Sequence, residues 1–118
     1  MLIVDDHQLF TEALRTLLER DARLAVAGTA KTGREAILLA KSERVDVVLM
    51  DMSMPVLDGL AATRRLLALE RPPRVIALSA HTDDLSRAAA LEAGAAAFLS
   101  KADANENLGD TILAVCGR

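Results

Sequence analysis

One cysteine, two phenylalanines, three prolines and neither tryptophan nor tyrosine occur in these 118 residues. A lone thiol, Cys116, excludes an intramolecular disulfide and a cysteine-based zinc site, which fits a reducing cytoplasm and leaves Cys116 a packing role. Rings that could stack on a flavin or nucleotide are scarce, and no phosphate-cradling glycine loop is present, so a cofactor binder of that kind is disfavoured. No apolar run approaches the roughly 20 residues of a membrane span. Met1-Leu2-Ile3-Val4 meets two aspartates at once, unlike a signal peptide or anchor. Clustered positive charge is missing too: 14 basic residues against 17 acidic ones give a formal charge of -3, and the basic ones come singly or in pairs such as Arg64-Arg65. Affinity for nucleic acid rests on clustered phosphate-neutralising side chains, so this chain alone is not expected to hold DNA.

What is present is a single domain's length of sequence, 52% hydrophobic and 26% charged, as in a soluble globular protein. Short apolar runs alternate with helical patterns throughout, the arrangement of a parallel sheet with crossover helices on both faces. The runs lie near Leu2-Asp5, Leu24-Ala27, Val45-Met50, Arg74-Leu78 and Ala97-Leu99, and their continuous apolar character suits strands buried on both sides. The first helix is expected from Gln8 to Asp21 with a stripe of Phe10, Leu14, Leu17 and Leu18, capped by Asp6. Thr32-Gly33-Arg34-Glu35 is a capping-box pattern that opens a second helix, with Ala36, Ile37 and Ala40 inward. Asp58-Gly59 starts a third, ended before Pro72-Pro73. A fourth, Asp84 to Ala93, has only Leu85 and Leu91 as large apolar residues and is expected to be the least firmly anchored. A fifth, Asn105 to Cys116, repeats Leu108, Ile112 and Val115 at helical spacing.

Polar residues sit where four of these strands end: Asp5-Asp6, Asp51, Ser79 and Lys101. In an open parallel α/β sheet, ligands and chemistry gather in the crevice at the carboxyl ends of the strands. Neighbours within a strand face opposite sides, so Asp5 and Asp6 converge only if Asp6 has left the strand. Each group alone is as well explained by a helix cap or a solvated strand end. Together, three carboxylates in one crevice call for a raised pKa or a cation, and a hard ion such as Mg²⁺ needs only one or two direct carboxylates.

These residues resemble the receiver domains of two-component response regulators. The likeness covers essentially the whole chain and rests on Val4-Asp5-Asp6-His7, Val47-Val48-Leu49-Met50-Asp51-Met52-Ser53-Met54-Pro55 with Asp58-Gly59, Leu78-Ser79-Ala80-His81, Glu92-Ala93-Gly94-Ala95 and Phe98-Leu99-Ser100-Lys101. Asp5-Asp6-His7-Gln8-Leu9-Phe10 and Leu78-Ser79-Ala80-His81 are similar to the LuxR/NarL-type transcriptional regulators. The resemblance implies a flavodoxin-like (CheY-like), doubly wound (βα)5 sandwich with strand order 2-1-3-4-5, one receiver domain over residues 1–118 and no output domain within them. It implies that Asp51 accepts a phosphoryl group from a histidine kinase, that Asp5, Asp6, Asp51 and the Ser53 backbone carbonyl surround Mg²⁺, and that Lys101 neutralises charge from another side. A carboxylate attacking a phosphoryl group approaches like charge, costing roughly 1 kcal/mol per unit pair at 4 Å in water and about 4 at an effective dielectric of 20, so such neutralisation matters. Ser79 and Phe98 match the family's switch pair, and Ser53 and His81 match positions that govern phosphoryl lifetime.

A cytoplasmic protein is expected, and phosphorylation is expected to alter self-association, through the face of the fourth helix, fifth strand and fifth helix or through the first and fifth helices; LuxR/NarL-type proteins continue through a linker to a DNA-binding helix-turn-helix, so this chain is either such a receiver excised or a stand-alone one. His7 is read as a loop or helix-start residue and His81 as a rim residue, because two histidines on different loops lack a close ligand spacing. Many receivers have proline after the lysine, joined by a cis bond; Ala102 stands there, and a trans bond is expected. An aspartate-nucleophile phosphohydrolase is disfavoured, since its Asp-x-Asp after the first strand and its substrate-shaping insertion are missing. The complete Asp/Asp/Asp/Ser/Lys set argues against a degenerate receiver used only for docking.

Overall fold

The computed structural model describes residues 1–52, 59–80, 84–103 and 108–116. Strands and helices alternate as β1 (Leu2–Val4), α1 (Gln8–Glu19), β2 (Gly28–Ala30), α2 (Gly33–Ser42), β3 (Val47–Asp51), α3 (Gly59–Leu67), β4 (Arg74–Ser79), α4 (Asp84–Glu92), β5 (Ala97–Ser100), a 3₁₀ turn at Lys101–Asp103, and α5 (Leu108–Cys116). The strands form one parallel sheet in the order β2-β1-β3-β4-β5. Chain winding reverses between β1 and β3, which opens a crevice at the carboxyl ends of those two strands.

The period-2 alternation of side chains sorts the sheet into two cores. Leu2, Val4, Val48, Met50 and Val75 pack with Ala36 of α2 and with Ala62 and Leu66 of α3. Their neighbours Ile3, Val47, Leu49, Ile76 and Leu78 face the other way, onto Leu14 and Leu18 of α1 and Leu108 and Ile112 of α5. A third, smaller cluster joins Ala77, Ala90, Ala95 and Phe98 beneath α4. Burial on both faces is why the strands read as unbroken apolar runs.

The local signals explain most of the element ends. Thr32 caps α2, its side chain accepting a hydrogen bond from the Glu35 N–H at 3.1 Å. The N-cap of α1 is His7 rather than Asp6, with no side-chain cap bond, and the helix stops at Glu19, two residues short of the expected end. Strand β2 lies at Gly28–Ala30, not at Leu24-Ala27. Leu24 and Val26 do pack on the α1/α5 core, and the Met1 ammonium and carbonyl bond Ala25 and Ala27, but the ladder with β1 forms only from Gly28 onward. Gly94 closes the turn after α4 with φ +110°, a conformation that L side chains rarely adopt. The expected starts of the third helix at Asp58 and of the fifth at Asn105 lie outside the described residues.

Helix α4 buries only Ala90, while Leu85 is 83% exposed and Leu91 45%. With so little apolar area removed from water, α4 is expected to open locally well before β3, all five residues of which are buried. Hydrogen exchange followed by mass spectrometry should show amides of residues 84–92 exchanging faster than those of 47–51. Equal protection of the two segments would contradict this.

Candidate functional site

Three carboxylates reach the crevice from two strand ends. Asp5 directly follows β1, and its N–H still bonds the Ala30 carbonyl at 3.0 Å, so the ladder geometry persists through it. By the alternation above, Asp5 shares the α1/α5 face with Ile3, and Asp51 shares it with Leu49. Both are buried, at 2% and 0% exposure. Asp6 has left the strand, and its side chain is one-third exposed. One ligand atom from each of Asp5, Asp6, His7 and Asp51 lies within 4.8 Å of the others.

Lys101 enters from the far side of the sheet. Its position in the turn after β5, where the Ala102 N–H bonds Ser100 Oγ at 3.0 Å, carries Nζ to 2.7 Å from Asp5 Oδ2 and 3.5 Å from Asp51 Oδ2. Nζ also stands 4.8 Å above the Phe10 ring of α1, whose face attracts a cation. Burial pushes the Asp5 carboxyl up, but the Lys101 ammonium, the His7 N–H and the His7 ring together hold it below the ordinary carboxylate value. No cis peptide occurs among the described residues, so Ala102 follows Lys101 in trans.

Ser79 ends β4, buried and in register with Ser100, and the alternation places it on the face of Ala77 and Phe98. Phe98 packs against Ala77, Ala90 and Ala95 at 6% exposure, and the Arg87 guanidinium of α4 lies 5.4 Å from its ring centroid. The charged groups and the Ser79/Phe98 pair thus approach the crevice from opposite faces. Gly59 opens α3 so close to the end of β3 that an added Cβ would meet the Asp51 carbonyl oxygen and come within 2.6 Å of Met52 Cα. Ser53 and His81 lie outside the described residues.

Two contacts go beyond the sequence reading. His7, a loop or helix-start residue by sequence, sets Nδ1 3.0 Å from Asp5 Oδ1 and 3.1 Å from Asp6 Oδ1. Phe10, one residue of the apolar stripe of α1, lies beneath Lys101. Both side chains project from the start of α1 toward the strand ends, and that position one turn apart was the signal available in the sequence.

The donor set suits a hard divalent cation. Carboxylate oxygens are the ligands such an ion prefers, Asp6 is open to solvent for the waters it retains, and three anions beside one lysine leave negative charge to neutralise.

A family model described as the response regulator receiver domain matches residues 1–113. Response regulator UvrY of Escherichia coli (strain K12) is 39% identical over 115 residues, covering 98% of this chain and 53% of that protein, so the chain spans about half the length of the curated relative. Among solved structures, the signal receiver domain of a NarL response regulator from Mycobacterium tuberculosis superimposes with TM-score 0.91 at 34% identity, over 99% of this chain and 95% of that one. A response regulator from Burkholderia pseudomallei with a phosphorylated aspartic acid, calcium ion and citrate superimposes with TM-score 0.81 at 29% identity, over 98% and 64% of the two chains.

Proposed function

Because the chain belongs to the response regulator receiver family and is a receiver domain of two-component signalling, we propose that Asp51 is its phosphoacceptor and that the chain works as a phosphorylation-controlled switch. One observation carries this reading: a fully buried carboxylate at the end of the central strand faces both an acidic pair and a lysine ammonium. The phosphorylated aspartic acid and calcium ion in the Burkholderia relative support it.

An Asp51 oxygen attacks phosphorus, the bond from phosphorus to the donor histidine nitrogen breaks, and the leaving imidazole keeps the electron pair. The donor in this reading is the phosphohistidine of a sensor kinase. Lys101, already within reach of both buried carboxylates, offers its charge to the phosphoryl oxygens. Asp5, Asp6, Asp51 and the Ser53 carbonyl would hold Mg²⁺, which when bound neutralises charge between the attacking carboxylate and the phosphoryl group. The Ser79 hydroxyl donates a hydrogen bond to a phosphoryl oxygen, and Phe98 turns into the space this vacates beside α4. Ser53 and His81 set how long the phosphoryl group survives. In this reading the chain modifies itself and acts on no separate substrate.

The output of the full protein is proposed by likeness to UvrY and the NarL-type regulators: an accompanying DNA-binding domain in the cytoplasm, controlled through homodimerisation. No helix among the described residues is long and apolar enough to cross a membrane.

The reading is tested by titrating Mg²⁺ into the parent and Asp6→Ala under calorimetry, then phosphorylating each with a small phosphodonor. Expected are weak Mg²⁺ binding by the parent, a loss of affinity in Asp6→Ala, and phosphorylation of the parent that stops when the metal is chelated. Equal Mg²⁺ affinity in the two proteins would leave the acidic pair a structural feature only.

A further inference from the structure

Resting on the reading of Asp5 and Asp6 as metal ligands, we propose that His7 selects the class of cation that the acidic site takes, disfavouring Mg²⁺ and favouring first-row transition ions that accept nitrogen. The ring nitrogen Nδ1 touches one oxygen of each acidic residue, at 3.0 and 3.1 Å, and so borders the space that an ion held by those oxygens would fill. The residue as a whole cannot withdraw. Its N–H donates to Asp5 Oδ1 at 2.9 Å, and its carbonyl accepts from the Thr11 N–H at 3.0 Å and the Thr11 hydroxyl at 3.1 Å. Only the side chain is free to rotate, and at 66% exposure it has solvent to turn into.

Two classes of ion meet this arrangement differently. A hard ion takes oxygen ligands, so the imidazole has to swing out and give up its contact with both carboxylates before that ion seats. A transition ion such as Co²⁺ or Zn²⁺ accepts imidazole nitrogen beside carboxylate oxygen. For that class, with the ring proton on Nε2, the Nδ1 lone pair joins the ligand set and the ring stays near its place. One side chain therefore subtracts from the affinity for Mg²⁺ and adds to the affinity for the transition ion.

The test measures both metals separately, by calorimetry and by the visible absorption of Co²⁺, in the parent, His7→Ala and His7→Phe. The phenylalanine retains ring bulk without a nitrogen and so separates crowding from ligation. Both variants are expected to bind Mg²⁺ about fivefold more tightly, the value of one hydrogen-bonded contact. Both should bind Co²⁺ at least about tenfold more weakly, since even indirect supports of a ligand are worth that much, and their Co²⁺ absorption should lose the change in intensity that a nitrogen ligand brings. Affinities for both ions moving in the same direction, or neither moving, would overturn the proposal while leaving the Mg²⁺ reading intact. A parent without Mg²⁺ affinity that depends on Asp6 would instead remove the reading beneath it.

Discussion

Asp51→Asn is expected to abolish phosphoryl incorporation, the largest single effect any substitution in this chain should have. An amide keeps the shape of the carboxylate but has no anionic oxygen with which to attack phosphorus. The fold should tolerate it, because Lys101 keeps its shorter contact, 2.7 Å to Asp5, and one of three crowded negative charges is gone. Intact-protein mass spectrometry after incubation with a small phosphodonor and Mg²⁺ reads the outcome directly. A variant modified to the extent of the parent would move the phosphoacceptor to another residue.

Lys101→Met should cost both chemistry and stability. Losing one charge-stabilising donor at a reacting centre typically slows a reaction by about 10²–10³, and phosphorylation by a small donor is expected to fall in that range. Removing one partner of a buried ion pair costs about 3–5 kcal/mol. The lysine side chain is 17% exposed, so the lower end is expected. The pH dependence carries the sign of the cause. In the parent, Asp5 is held below its ordinary value of 3.8, so its contribution to stability is present above that pH and is lost as pH falls through the depressed folded value. Without the ammonium, Asp5 loses the strongest of the influences that hold its carboxyl down, its folded value rises, and the loss begins at higher pH. Urea unfolding of parent and variant across the acidic range separates the two, and superimposable stability–pH profiles would show that Lys101 does not govern Asp5.

The fold was legible because its strands are buried on both faces and say so in runs of Val, Ile and Leu. Four of the five strands lie close to where those runs predicted. Strand β2 slipped because Leu24 and Val26 are apolar for packing reasons, whereas Gly28, Thr29 and Ala30, which make the ladder, form an edge strand of residues with little strand signature. The strand-end carboxylates and Lys101 were visible because topology alone sends strand ends to one crevice. His7 and Phe10 were harder to place, since their approach depends on the turn of the chain between Asp5 and α1. Arg87 over Phe98 was hidden for a related reason: helical spacing shows which face of α4 turns inward but not which ring a guanidinium reaches.

The hydrogen atom at Gly59 gives the crevice an unyielding back wall. Backbone of α3 abuts backbone at the tip of β3, with the Met52 methyl beside them, and peptide planes in contact have no rotamer to change. On the proposed reading, a phosphoryl group added at Asp51 would find little compliance behind it. Recoil would be left to the β4–β5 side, where the contacts are a serine hydroxyl, a phenylalanine ring and a helix seated on one buried alanine. In the proposed switch, a missing methyl group at the start of α3 would thereby turn the signal toward α4, on the same face of the sheet.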